Sequence, residues 1–256
     1  MKLENKTVLI TGASSGIGRS VAEQLAAKGN RVVVTARRQA LLDALAEQIN
    51  SAGGECLAIA SDALNEGDAQ RVVDETVAAF GQIDAALMNI GDGPSFNMAE
   101  ETPAAIKGNM ALNYDTMVNY LVPLIQQMKK QQHGLITHTN SLAGFLGLPQ
   151  QGPYSAAKAA GRILMDTCRV ELAPYNIKFT SVYPGFVATE RVAEDGIPAP
   201  MEISEARAAQ YIIYAMEKEK MDYLFPAVMR WLIHLARILP KPVVNALTKR
   251  MMADEY

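Results

Sequence analysis

Several absences narrow what this chain can be. Its 256 residues include only two cysteines, Cys56 and Cys168, without CxxC spacing. A disulfide framework or a cysteine zinc site needs more, so buried free thiols in a reducing, cytoplasmic setting are expected. Three scattered histidines and unclustered acids offer no metal set. Neither sign of charge dominates, because 24 Lys and Arg meet 27 Asp and Glu for a net charge of −3. That balance supplies no basic face for nucleic acid. Met1 to Lys6 is polar and leads into a short strand, unlike a secretory leader. No apolar run reaches the roughly 20 residues of a transmembrane helix.

What is present is apolar mass: 49% of residues are hydrophobic and 20% charged, enough for the full core of a soluble globular protein. Strands are expected at Thr7–Ile10, Arg31–Thr35, Cys56–Ala60, Ile83–Asn89, Gly134–Thr139 and Ile177–Tyr183, with a short one near Tyr223–Phe225. Between them Ile17, Val21 and Leu25 recur at helical spacing, as do Leu41, Leu45 and Ile49, and Val73, Val77 and Phe80. Lys28-Gly29-Asn30 reads as a helix end, with a cation in the last turn and glycine at the cap. Strands apolar on both faces and separated by helices imply a parallel sheet covered on both sides. Right-handed crossovers then give an α/β doubly wound parallel sheet of about seven strands. With no linker or repeat, residues 1–256 read as one domain.

The stretch "TVLITGASSGIG" places Gly12, Gly16 and Gly18 directly after the first strand. A strand, glycine turn and helix together bind a pyrophosphate: backbone N–H groups reach the phosphates, and the helix N-terminus adds partial positive charge. Gly12 makes the turn, Gly16 allows close approach and Gly18 lets the helix pack on the sheet. Ser14 and Ser15 add hydroxyl donors. The second strand, "RVVVTARR", ends in Arg37 and Arg38 with no carboxylate. An acid there would suit the ribose 2′-hydroxyl of NAD, whereas guanidiniums suit a 2′-phosphate, so NADP is expected over NAD.

In "YSAAK" Tyr154 and Lys158 stand one helical turn apart on a shared face. A free phenol has a pKa near ~10, and a neighbouring ammonium favours the phenolate and lowers that value. "HTNSLAG" puts Ser141 at the carboxyl end of a predicted strand, where ligands of open α/β sheets gather. "ALNYDTMVNYLVP" puts Asn113 in a long helix ahead of Pro123.

From about Lys6 to Thr189 the chain resembles the short-chain dehydrogenase/reductase family, with a Rossmann-like fold. "TGASSGIG" looks like its cofactor loop, covering Gly12, Ser14, Ser15, Gly16, Ile17 and Gly18. "SDAL", with Asp62 and Ala63, looks like the adenine contact. "MNIG", with Asn89, Ile90 and Gly91, stands where the family usually has Asn-Asn-Ala-Gly, and the bulkier Ile90 can shift the ribose. "YPGFVAT", with Pro184, Gly185, Val187 and Thr189, looks like the segment that closes over the nicotinamide.

The resemblance implies a tetrad. Tyr154 is then the proton donor in carbonyl reduction and the base in alcohol oxidation. Lys158 holds the cofactor ribose and depresses the Tyr154 pKa. Ser141 hydrogen-bonds the substrate oxygen, and Asn113 positions a relay water by packing into a local distortion of its helix. A homodimer or homotetramer built on the helices carrying Asn113 and Tyr154 is also implied.

Other residues have blander expectations. His133 reads as a solvated helix end and His138 as a hydrogen-bonded structural histidine. Met201, Met216, Met221, Met229, Met251 and Met252 read as core filling. Residues 186–203 form the expected substrate loop, and with Phe145, Leu146 and Leu148 they suggest an apolar carbonyl or alcohol substrate. Residues 226–256 form an apolar helical extension containing Trp231, Leu232, Leu235, Ile238 and Leu239, interrupted by Arg230 and Arg237. It reads as a lid, a subunit contact, or a peripheral membrane contact through 226–250. A catalytically silent dinucleotide-binding regulatory or scaffold protein is the alternative in a different class.

Overall fold

The computed structural model describes residues 1–189 and 201–252. Seven strands form one parallel sheet: β1 Thr7–Thr11, β2 Arg31–Ala36, β3 Glu55–Ala60, β4 Ala85–Met88, β5 Gly134–Thr139, β6 Ile177–Pro184 and, after the short pair β7 Val187–Ala188 and β8 Ile203–Ser204, β9 Asp222–Phe225. Their order across the sheet is β3-β2-β1-β4-β5-β6-β9. The chain winds outward from β1 to β3 and then crosses back to β4. The strand order therefore reverses between β1 and β4, where a crevice opens at the carboxyl ends.

Both sheet faces are covered, which is why the strands are apolar throughout. Alternation along β1 sends Val8 and Ile10 to one core and Leu9 to the other. The first core packs against α1 Gly16–Ala26, α2 Gln39–Ser51 and a later helix, α7 Glu205–Glu217. The second packs against α3 Glu66–Phe80, α5 Thr116–Gln131 and α6 Gly152–Glu171. The helix α4 Pro103–Met110 precedes α5, and α8 Ala227–Ile238 and α9 Lys241–Met252 follow β9. Both cysteines are buried and free, and burial pushes the Cys56 thiol up to about 12.

Some local expectations need correction. β4 is shorter than Ile83–Asn89, because its flanks are tied by side chains. Gln131 accepts from the Ile83 amide at 3.1 Å, and Thr11 Oγ1 accepts from the Asn89 amide at 3.0 Å. The α1 cation lies beyond the helix: Gly29 at φ +80° follows Lys28, which reaches Glu217 at 2.6 Å. On α2 the buried stripe is Leu42, Leu45 and Ile49, while Leu41 in the first turn is 42% exposed. Met216 fills core, but Met201 and Met221 lie at the surface because they flank α7 in turns. The side chains of Met251 and Met252 lie outside the described residues.

Leu42→Ala is expected to cost about 2–5 kcal/mol, whereas Leu41→Ala stays within about 0.5 kcal/mol. Urea midpoints at unchanged m-value check both.

Candidate active site

The glycine turn sits at the switch point. Gly12 and Gly16 adopt φ of +65° and +63°, which side-chain-bearing residues rarely tolerate. A Cβ on Gly18 would stand 2.4 Å from the Gly12 carbonyl oxygen, so the start of α1 can press on the loop only as glycine. Nothing approaches a Cβ position on Gly16 closer than 3.6 Å, which leaves that side of the turn open. Ser15 does not cap α1 with its side chain, and the first turn holds no acid. A helix start with no acid in its own first turn fits a dinucleotide's diphosphate, although the Glu205 carboxylate stands beside it, its Oε1 3.7 Å from a Cβ position on Gly16. Ile17 is half-buried behind it against the core.

Arg38 bridges this loop to the end of β2. Its Nη2 donates to Ser14 Oγ at 2.9 Å and Ser15 Oγ at 2.7 Å. Arg37 is exposed beside it. Asp62 follows the neighbouring strand β3, and its carboxylate accepts from the Leu64 amide at 3.1 Å. Ala63 is buried, with its carbonyl accepting from Asn119 at 2.9 Å.

Asn89 ties three strand ends together. Its amide donates to Thr11, and its Oδ1 accepts from Thr139 Oγ1 at 2.8 Å. Ile90 packs over Gly12, with Cγ1 3.2 Å from where a Cβ would sit. Gly91 serves clearance: a Cβ there would lie 2.7 Å from Asn113 Oδ1 and 2.8 Å from Lys158 Nζ. Those two side chains therefore converge on its backbone. Asn113 is fully buried within a π-helical turn, Ala111–Asp115, between α4 and α5, which matches the expected distortion. It clamps the Asp92 backbone from both ends, accepting from its amide at 3.0 Å and donating to its carbonyl at 2.8 Å.

Lys158 is 2% exposed. Its ammonium donates to the Thr139 carbonyl at 3.1 Å, and burial pulls its pKa down to about 8. The Nζ stands 5.5 Å from the centroid of the half-buried Tyr154 ring. The Tyr154 pKa is not lowered on balance. Burial raises the phenol above its ordinary value, a hydrogen bond with Ser141 pulls the other way, and the Asp92 charge adds to the rise. Ser141 leads into a 3₁₀ turn, Leu142–Phe145, and its Oγ also accepts from the Ala143 amide at 3.1 Å.

Pro184 ends β6, and the Gly185 amide donates to the Phe225 carbonyl at 2.8 Å. Val187 is buried. Thr189 reaches over the glycine loop, its Cγ2 being 3.6 Å from a Cβ position on Gly16. Residues 190–200 of the expected substrate loop lie outside the described residues.

Sequence reasoning missed Asn140, whose Nδ2 donates to the Lys158 carbonyl at 2.9 Å while its Oδ1 accepts from the Ser141 amide at 2.8 Å. It thereby links β5 to both Ser141 and α6. An asparagine just past a strand end was the available signal. The expectation for His138 needs correction, because neither ring nitrogen has a hydrogen-bond partner among the described residues. The ring lies against α6, where its Cε1 would be 2.9 Å from a Cβ on Gly161.

Burial, and then the Lys158 charge, hold the His138 imidazole well below its ordinary 6.5. It stays neutral in the fold while the unfolded chain takes up a proton below about pH 6.5. The stability it contributes is thus present above that pH and lost as pH falls toward its folded-state value. The melting temperature is expected to fall from about pH 6.5 to about pH 5, and His138→Leu to flatten that slope. Thermal melts across the window check it.

Comparison with known proteins agrees with this geometry. The family model for short chain dehydrogenase matches residues 6–197. An uncharacterized oxidoreductase of Myxococcus xanthus is 29% identical, over 98% of this chain and 99% of its own. The 11-beta-hydroxysteroid dehydrogenase-like 2 protein of Arabidopsis thaliana is 31% identical, over 93% of this chain and 79% of its own. A short chain dehydrogenase/reductase from Burkholderia phymatum, solved in complex with NAD, shares the fold with a TM-score of 0.85. It covers 92% of this chain and 94% of that one at 22% identity. A family match across most of the chain, on a sheet wound in this order, makes the chain a member of the short-chain dehydrogenase/reductase family of oxidoreductases.

Proposed function

We propose that this enzyme uses NADP(H) to interconvert an apolar ketone and its secondary alcohol, with Asn113, Ser141, Tyr154 and Lys158 as the working set. The observation that carries the reading is convergence. Lys158 Nζ stands 5.5 Å from the Tyr154 ring centroid, Lys158 and Asn113 meet at Gly91, and Ser141 acts on the phenol against the rise that burial imposes. When bound, the cofactor exchanges a hydride with the substrate carbon.

Ser141 donates a hydrogen bond to the substrate oxygen and stabilises the charge that develops there. Tyr154 delivers a proton to that oxygen in reduction and accepts it in oxidation. Its raised proton affinity suits the protonated, acid-ready form. Lys158 binds the ribose side of the cofactor and returns a proton toward Tyr154. Asn113 holds the Asp92 backbone and Gly91 in place, leaving room for a water next to Lys158. The loop from Gly12 to Gly18 takes the diphosphate, Asp62 and Ala63 border the adenine, and Asn89, Ile90 and Gly91 border the ribose. Pro184, Gly185, Val187 and Thr189 close over the nicotinamide.

Preference for NADP rests on Arg37 and Arg38 at the end of β2, where no carboxylate stands to meet a 2′-hydroxyl. Arg38 already donates to Ser14 and Ser15 of the glycine turn. An apolar substrate is supported by Phe145, Leu146 and Met229 lining a cluster beside Ser141, and by the steroid-dehydrogenase-like name of the Arabidopsis relative. For assembly into a homodimer or homotetramer, Val122 on α5 and Ile163 and Val170 on α6 offer exposed apolar contacts. A cytoplasmic location is the matching proposal.

Tyr154→Phe is expected to lower kcat by about 10²–10⁴-fold while NADPH binding stays unchanged. Equal rates for the variant and the parent, across a panel of apolar ketones, would overturn the assignment. Arg37→Ala with Arg38→Ala is expected to raise the KM for NADPH about tenfold or more and to leave that for NADH nearly unchanged. Steady-state kinetics with both cofactors decide it.

A further inference from the structure

We propose that α8 and α9 dock this enzyme on an anionic lipid surface. The helix α8 has three faces. On the first, Met229 and the buried Ile233 pack against Leu142, Phe145, Leu146, Tyr183 and Leu224, fixing the helix to its own subunit. The second is also apolar but turned outward. Val228, Trp231, Leu232, Leu235 and Ile238 recur at helical spacing and are each between 50% and 79% exposed. By helical spacing the third carries Arg230, His234 and Arg237 next to that outward stripe, with Arg230 over Trp231 at 5.5 Å and Arg237 over Phe145 at 5.1 Å. The helix α9 adds exposed Val243 and Leu247.

Charge selects the occupant. From Ala227 to Met252 the chain has Arg230, Arg237, Lys241, Lys249 and Arg250, with no Asp or Glu, although the whole chain is net negative at −3. A one-signed basic segment beside an apolar stripe complements anionic headgroups above acyl chains, and a single tryptophan at that level is favoured there. A second copy of this chain would bring the same cations against themselves if the stripe paired symmetrically. Among the described residues no helix is long and apolar enough to cross a membrane, so the pair lies on the surface. Because α8 also packs on the turn that follows Ser141, docking places the substrate cleft beside the lipid boundary. The docking itself does not depend on the substrate reading above.

Trp231 is the only tryptophan, which makes the full-length protein its own probe. Vesicles of phosphatidylcholine mixed with phosphatidylglycerol are expected to shift its emission to the blue and to sediment the protein. Pure phosphatidylcholine should do so far less, and added salt should reverse the effect. Leu235→Glu with Ile238→Glu is expected to lower vesicle affinity by about tenfold or more, with lipid-free NADPH oxidation unchanged. Lys241→Glu with Lys249→Glu, which removes no apolar contact, should lower it by about tenfold at low salt. Unshifted emission with the protein left in the supernatant would overturn the proposal. So would emission already blue in a vesicle-free oligomer that the Leu235 and Ile238 double variant dissociates, since a second copy would then cover the stripe.

Discussion

A buried ammonium without a carboxylate partner is the constraint around which this site is built. Among the described residues no acid pairs with Lys158. Its charge is instead met by the Thr139 carbonyl, and its backbone is held by Asn140. Burial alone makes that charge expensive, and the lowered pKa of about 8 expresses the tension. A carboxylate salt bridge would relieve it and would also occupy the ammonium. Leaving the charge to one carbonyl keeps proton and hydrogen-bond capacity available toward the crevice.

Several other features follow from keeping that ammonium in place. Gly91 has to lack a side chain, because Lys158 and Asn113 take the space its Cβ would fill. Asn113 has to turn inward, and the π-helical turn supplies the extra residue that points it there. Gly144 is similarly confined, with a Cβ position 2.8 Å from Asn140 Oδ1 and 3.1 Å from the Lys158 backbone. The β5 end, the turn carrying Ser141 and α6 are therefore one mechanical unit. The sheet order then brings this unit beside the glycine turn, since β1 and β4 are neighbours and β5 follows β4.

The same packing explains what the C-terminal helices are for. One face of α8 packs against the turn that follows Ser141. That contact uses Met229 and Ile233, with the Arg237 guanidinium over Phe145. The remaining apolar stripe is surplus to the fold, and folding alone gives no reason to preserve five exposed apolar residues beside one-signed charge.

Alternation of apolar strands with helical periods was enough to indicate a doubly wound parallel sheet, because strands buried on both faces leave a pattern that local reading detects. Glycine placement at Gly12 and Gly16 was legible for the same reason, being a local conformational demand. Tyr154, Lys158, Ser141 and Asn113 could be identified as chemically capable, and spacing pairs Tyr154 with Lys158 on one helix, but the convergence of that helix with Ser141 and Asn113 could not be computed from spacing, since three separate segments supply them. Leu41 and His138 show the limit from the other side. Periodicity does not say which of two adjacent leucines turns inward, and a histidine in a strand does not announce whether its neighbours can hydrogen-bond. The proton affinity of Tyr154 was not legible from its neighbour in the motif: burial raises it, and the opposing pull comes from Ser141. Local pattern thus determined the fold and the inventory of reactive groups, while burial, a long-range property, determined their charge states and partners.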